Sequence, residues 1–502
     1  MSAKNALLMA IDQGTSSSRA VVFARDASIV TNRQREFPQI YPQPGWVEHD
    51  PEAIWRSVLD VTSQALGDAD AGRIAAVGIT NQRETTLIWD RDSGECIYNA
   101  IVWQDRRTAT RCDELRRAGR EDSVIEKTGL RLDPYFSATK IEWLLNNVPG
   151  ARERAERGRL AFGTVDCFLL WRLTGGRVHA TDASNASRTM LFDIHNQCWD
   201  ESLLELFGVP REILPEVRDC AADFGTTARD VIGAEIPIRG MAGDQQAALV
   251  GQAGFETGMT KSTYGTGCFV ITNTGDQPLA SKNNLLTTVA YRLGGRVTYG
   301  LEGSIFVAGS AVQWLRDQLR VIENAAVTGD IAERTGVVDH VHVVPAFAGL
   351  GAPYWDPHAR GAILGLSRDS GIDEIVTATL QAIAFQTRDL TEAMADDGLR
   401  PSLIRVDGGM VANDWLLQFL ADILALPIER PVNVESTVLG AACLAGLQTG
   451  VYDSTDQLSA LWASDARFAP AMGDERREAL YRGWCEAVSR VRSTTDSSTG
   501  GG

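Results

Sequence analysis

ALLMAIDQGTSSSRAVVF, residues 6–23, is the stretch whose reading decides the fold. The apolar run 6–11 predicts a short buried strand, the residues around Gly14 a tight turn, and 20–23 a strand returning beside the first. Strand, glycine turn and strand make a hairpin, whereas a dinucleotide fold would run its glycines into a helix. The device recurs after about residue 252: STYGTG (262–267) is again a glycine turn, and 268–272 again reads as a strand. Between the two, 74–79, 86–89 and 236–242 read as strands, and Asp50-Pro51 opens a helix as N-cap and first residue. Residues 403–406 lead as a strand into DGGMVAN (407–413), where Asn413 is placed to cap a helix that stops before Pro427. Strands and helices alternate throughout, so the class is α/β. Two halves that each open on a Gly-Thr hairpin suggest a duplicated architecture with a cleft between them.

Composition narrows the class further. The chain has 502 residues, 44% apolar and 23% charged, which suits a globular protein with sizeable cores. Its net charge of −17 argues against nonspecific attachment to nucleic acid, which needs clustered Lys and Arg. No run reaches the length of a membrane span, and the apolar stretch at 6–11 stops at Asp12, too short for a signal peptide. The eight cysteines include no C-x-x-C pair, so reduced thiols in a cytoplasmic protein are expected. The small polar tail 493–502 reads as disordered.

The first hairpin has the chemistry to wrap phosphate oxygens. A glycine turn bares backbone N–H groups, Thr15, Ser16 and Ser17 add hydroxyls, and Arg19 adds a cationic fork. Asp12 could hold Mg²⁺ through water, since that ion uses few carboxylates and keeps much of its hydration. Taken alone, the hairpin is equally a plain surface turn. Thr266 in the second turn and Gly409 ahead of a helix N-terminus shift the balance towards a nucleotide held across the cleft.

Longer strings carry a resemblance. DQGTSSSR (12–19), TNQRETT (80–86), NAIVWQDRR (99–107), DPYFSATK (133–140), TDASNASRTML (181–191), AGDQQAALVGQ (242–252), TYGTGCF (263–269) and RVDGGMVAN (405–413) resemble the FGGY family of carbohydrate kinases, and within it the branch that phosphorylates glycerol. The resemblance runs from about residue 7 to about residue 490. It implies two actin-like, ribonuclease H-like domains, expected at 1–252 and 253–492, with Mg-ATP and substrate in the cleft between them. The implied reaction is phosphorylation of glycerol to sn-glycerol 3-phosphate with release of ADP, the entry to glycerol breakdown. A cytoplasmic homodimer or homotetramer is implied with it.

By the same resemblance Arg83, Glu84, Tyr135, Asp244 and Gln245 grip glycerol hydroxyls, and Trp103 and Phe269 wall its carbon edge. Asp244 is the implied general base. It follows an apolar strand and precedes a helix, so it belongs at a strand's carboxyl end, with a helix N-cap as its plainer role. Thr15, Ser16, Ser17, Arg19 and Thr266 fall on phosphate turns, and Gly309, Gln313, Gly409 and Asn413 around the diphosphate and adenosine. Without the resemblance, Arg83-Glu84 would read as a solvated surface pair. No G-x-x-x-x-G-K-[ST] occurs, so this is not a P-loop enzyme. The stretch 228–240 lacks the Gly-Gly-x-Arg pattern by which many bacterial relatives bind fructose 1,6-bisphosphate, and inhibition by that sugar is not expected.

Two rivals stand beside this reading. One is a kinase for another polyol or sugar on the same fold, against which NQRE and Asp244-Gln245 speak. The other is an actin- or chaperone-like ATPase, which would need a partner-binding module that the roughly 80 residues after DGGMVAN do not supply.

Overall fold

The hairpin forms as β1 (Leu7–Gln13) and β2 (Ser17–Phe23), antiparallel, with Asp12 facing Arg19 across the ladder. The computed structural model describes residues 6–493 apart from positions 348 and 357. Of the tail read at 493–502 only Ser493 falls among the described residues; its N–H and hydroxyl donate to the Asp356 carboxylate at 2.7 and 2.9 Å.

Beyond β2 the chain adds the edge strand β3 (Ile29–Glu36), then helix α1 (Pro51–Asp68), capped by the Asp50 carboxylate. Strands β4 (Ile74–Asn81) and β5 (Ile238–Gly243) complete a five-stranded sheet in the order β5-β4-β1-β2-β3, with β4 parallel to both its neighbours. Helix α2 (Asp244–Gly251) leaves β5 without a loop. The region read as a strand at 86–89 forms at Leu87–Asp90, but it pairs with Leu160–Gly163 in a separate two-stranded ladder.

The second half repeats the plan. Its strands are β6 (Thr260–Tyr264), β7 (Cys268–Gly275), β8 (Leu286–Leu293), β9 (Arg296–Ile305), β10 (Ile404–Asp407), β11 (Ile428–Pro431) and β12 (Ser464–Phe468). They form one sheet in the order β8-β9-β7-β6-β10-β11-β12. Read from β11 to β9, the order and the strand directions match those from β5 to β3 in the first sheet. The duplication read from two glycine turns is therefore a duplication of topology, with β8 and β12 as added edges. Helices α3 (Gly309–Asp317), α4 (Ile372–Asp396), α5 (Asp414–Leu424) and α6 (Ser436–Thr449) belong to this half in sequence.

Strand β1 is buried on both faces, which explains why it reads as an unbroken apolar run rather than an alternating one. Leu7, Met9 and Ile11 pack with Ile54, Val58 and Val61 of α1. Leu8 and Ala10 pack on the other face with Val438, Ala441 and Ala445 of α6. Helix α6 thus comes from the second half of the sequence yet covers the first sheet, against β1, β4 and β5, and it lies along α2. The α2–α6 pair is one place where the halves meet, and α2 begins at the residue expected to do the chemistry.

Candidate functional site

Arg83 and Glu84 follow β4 and are 2% and 1% exposed, so the pair is not a solvated one. Arg83 sits at the centre of a buried ionic cluster. Its Nη1 donates to Glu302 at 2.5 Å and to Gln246 at 3.3 Å, its Nη2 to the other Glu302 oxygen at 3.0 Å, and its Nε pairs with Asp244 at 3.1 Å. Tyr135 Oη lies 3.4 Å from Nη2. Arg188 closes the cluster, donating from Nε to Glu84 at 2.6 Å and from Nη2 to Glu302 at 3.0 Å. Burial opposes the charge on Glu302, but Arg188 and Arg83 outweigh it and hold the carboxyl down at about 2. Burial likewise opposes the charge on Arg83, and Glu302 leads the neighbours that keep its guanidinium protonated, well above the usual value. Burial raises the carboxyl of Glu84 and the phenol of Tyr135 above their ordinary ranges.

Glu84 adopts a left-handed backbone (φ 60°), uncommon for a residue with a side chain. Its carbonyl is fixed there by three donors: Thr86 Oγ1 at 3.0 Å, Ser137 Oγ at 3.1 Å and the buried Lys140 Nζ at 3.1 Å. Lys140 also donates to the Tyr135 carbonyl at 2.8 Å, so one ammonium ties together the backbones that carry Glu84 and Tyr135. Burial draws that ammonium down to about 7.

Asp244 stands at the carboxyl end of β5, as its sequence position suggests, but it is not a cap. The cap is Gly243, and Asp244 is the first residue of α2, its Oδ1 accepting from the Gln245 N–H at 2.7 Å. A carboxylate in a helix's first turn gains from the dipole without being the cap, and this one is placed to pair with Arg83. Its side chain is 31% exposed in an otherwise buried cluster. Gln245 is buried and accepts from Lys261 Nζ, which also donates to Thr263 at 2.9 Å. An aromatic corner borders the cluster: Trp103 meets Tyr135 and Phe269 edge-on at 5.6 and 6.1 Å, and Arg83 lies over Phe269 at 5.9 Å.

The first glycine turn joins this corner, since Trp103 Nε1 donates to Thr15 Oγ1 at 3.0 Å. Ser16 is exposed at the turn, and the Ser17 hydroxyl accepts from Gln34 at 2.9 Å. Arg19 is engaged by acids, with Asp12 at 3.2 Å and Glu435 at 2.5 Å, so phosphate would meet a guanidinium already held in place. Asp12 is buried, and burial pushes its carboxyl up to about 6 against the pull of Arg19, with Asp244 and Glu435 adding to the rise.

Thr266, Gly309, Gln313, Gly409 and Asn413, scattered over almost 150 positions of sequence, line one cavity of about 800 Å³. The Thr266 turn is clasped to the start of α3, because its carbonyl accepts the Ala308 and Ser310 N–H groups at 3.0 Å each. A Cβ on Gly309 would lie 2.6 Å from the Gly265 carbonyl oxygen, so only glycine allows this approach. Asn413 caps α5 through the Leu416 N–H at 3.0 Å, as expected, and donates to Thr328 at 3.3 Å. Ala325, Ala326, Gly329 and Met410 give the cavity small and apolar walls of the kind a purine ring fits.

Sequence reading missed Arg188, Glu302, Lys140 and Lys261. Each is a lone charge in a mainly uncharged stretch, and that was the available signal: ions among apolar residues are rarely buried unless paired. The partners come from sequence positions up to 219 residues apart, which no local pattern displays.

The FGGY family of carbohydrate kinases is matched twice in chain order, its N-terminal domain by residues 7–251 and its C-terminal domain by residues 260–449. The chain is 62% identical over 489 residues to a glycerol kinase of Ectopseudomonas mendocina, covering 97% of this chain and 99% of that protein. It is 62% identical over 488 residues to glycerol kinase 1 of Pseudomonas aeruginosa, with the same coverage. Among solved structures, glycerol kinase of Plasmodium falciparum with ADP superposes with a TM-score of 0.90 at 37% identity, over 97% of this chain and 98% of that one. A xylulose kinase of Lactobacillus acidophilus shares the fold at 22% identity and a TM-score of 0.86. Two sheets of one topology, a buried ionic cluster against an aromatic corner, and a cavity beside the second glycine turn are thus the features of a chain that belongs to the FGGY family of carbohydrate kinases.

Proposed function

We propose that this chain transfers the γ-phosphoryl group of ATP to a terminal hydroxyl of glycerol, giving sn-glycerol 3-phosphate and ADP. The observation that carries the proposal is the convergence of Arg83, Glu84, Tyr135 and Asp244 on one buried cluster against the Trp103–Phe269 corner. Such a pocket offers a small triol donors, acceptors and an apolar edge. The 62% identity to glycerol kinases over nearly the whole chain supports the choice of substrate.

In this reading Arg83, Glu84, Tyr135 and Gln245 hold the hydroxyls and the two aromatic rings hold the carbons. Asp244 accepts the proton of the attacking hydroxyl, a positioned transfer that contributes about 10²–10⁴-fold to rate. Thr15, Ser16, Ser17, Arg19 and Thr266 align the phosphates, while Gly309, Gln313, Gly409 and Asn413 seat the diphosphate and adenosine. Alignment and charge neutralisation are most of what phosphoryl transfer asks of a protein. Mg²⁺ suits the residues at the phosphate turn: Asp12 is a buried carboxylate facing Asp244, and so sparse a set fits an ion held mainly by phosphate and water. When bound, that ion neutralises phosphate charge; Asp12 orients its water shell.

The division at about residue 252 gives one half the glycerol hydroxyl ligands and the first phosphate turn and the other half the adenine cavity, with Thr266 and Phe269 contributed by the second. The reading carries with it a cytoplasmic homodimer or homotetramer, and among the described residues no helix is long and apolar enough to cross a membrane. The test is ADP release from Mg-ATP in the presence of glycerol, xylulose, ribulose, erythritol or no acceptor. Release with glycerol alone is expected. Preference for another polyol would reassign the pocket, and acceptor-independent release would overturn the kinase reading.

A further inference from the structure

Arg83 has five N–H donors, and the way they are shared out is informative. Both oxygens of Glu302 take its fork, at 2.5 and 3.0 Å, the remaining Nη donors face Gln246 at 3.3 Å and Tyr135 at 3.4 Å, and Nε faces Asp244 at 3.1 Å. A guanidinium gripped bidentately has its plane and roll fixed, which a single contact would not achieve. Glu302 Oε1 also accepts from Arg188 at 3.0 Å, and Arg188 holds Glu84 at 2.6 Å. One carboxylate therefore orders the arginine directly and the Glu84 carboxylate through one intermediary.

The source of that carboxylate matters. Glu302 lies on β9 of the second sheet, whereas Arg83, Glu84 and Arg188 belong to the first half. Glu302 is also fully buried, so water cannot stand in for it. We propose that Glu302 is a positioning residue for glycerol, contributed across the interface between the halves, which keeps Arg83 aimed at the substrate and prevents its fork from closing on Asp244. Two arginines and two glutamates make this ring neutral. With Glu302 neutralised, the ring has one carboxylate for two guanidiniums, and Asp244 is the nearest anion left for the Arg83 fork.

The inference rests on the glycerol kinase reading, and the two fail separately. If the wild-type protein does not phosphorylate glycerol, the proposed function is wrong; if it does, the variants decide this point alone. Glu302→Gln in the full chain is expected to lower kcat/KM for glycerol by about 10²-fold, the scale of a misplaced positioning group. KM for ATP should stay within about twofold, because the nucleotide cavity is not touched. Glu302→Asp, which keeps the charge, should recover part of the loss. Thermal unfolding reports whether each variant is folded. If Glu302→Gln is not, Glu302→Asp takes its place: its shorter side chain cannot hold both arms of the Arg83 fork, so kcat/KM for glycerol should still fall while KM for ATP stays within about twofold. A folded variant with wild-type glycerol kinetics would overturn the proposal, as would equal losses for glycerol and ATP or an aspartate variant no better than the glutamine one.

Discussion

Arg83 is both a proposed glycerol ligand and the keystone of a buried charge cluster, and the two roles predict different things. Replacing it with alanine leaves Glu302 with one arginine instead of two, and breaking a buried pair in this way costs about 3–5 kcal/mol. Arg83→Ala should therefore lose thermal stability as well as glycerol affinity, which unfolding curves beside KM values would reveal; an unchanged melting temperature would contradict the buried cluster. Tyr135→Phe is the cleaner probe of hydroxyl recognition. It removes one oxygen 3.4 Å from Arg83 and should raise KM for glycerol by up to about tenfold, the upper end for one neutral hydrogen bond. Asp12 supplies a pH test. Burial raises its carboxyl to about 6 among Arg19, Asp244 and Glu435, so the folded protein holds this proton more tightly than the unfolded chain does. Its ionisation thus opposes folding as pH rises through about 6, and a bound cation relieves that opposition. The Mg²⁺ requirement should sharpen as pH falls below about 6 and the carboxyl protonates; equal Mg²⁺ dependence on both sides of that value would remove Asp12 from the site. At this scale the sequence displayed the residues that sit in motifs. It hid Glu302, Arg188, Lys140 and Lys261, whose meaning lies in partners that only the fold brings near.

Elements carry the link between the halves. Helices α2 and α6 approach so closely that a Cβ on Gly440 would lie 1.8 Å from the Ala247 carbonyl oxygen, and one on Gly251 2.0 Å from that of Ser436. Backbone cannot yield as a side chain tip can, so Gly440→Ala should destabilise by about 1–3 kcal/mol or more, as overpacking does. It should also disturb turnover, because α2 carries Asp244 at its first position. Gly473→Ala, with nothing within 4 Å of the added Cβ, is the control and should unfold like the wild type. Matched melting curves for the two variants would refute the close helix contact. The first hairpin and the helix capped by Asn413 were legible because apolar runs and turn residues are local signals. The edge strand β3 was not, since its residues are almost all exposed and polar, without the alternation that marks a half-buried strand. Strands β8 and β9 also went unread, their threonines and glycines giving weak periodicity.

For the whole molecule, the repeated sheet order explains why two short glycine turns could reveal so much. Each turn ends the first strand of its sheet, so the repeated topology puts one proposed phosphate turn in each half, with the α2–α6 pair packed between the halves. A division of labour is proposed with it: the hydroxyl ligands and the base with the first half, the cavity for the nucleotide with the second, and Glu302 reaching from one to the other. What sequence could not display was this crossing over, in which α6 covers the first sheet and β9 brings Glu302 into the Arg83 cluster. The most direct test of the account is turnover by Asp244→Asn set beside its glycerol binding by calorimetry. The account predicts that glycerol still binds, since asparagine keeps the hydrogen-bonding shape, while kcat falls by about 10²–10⁴-fold. Wild-type turnover in that variant would contradict it.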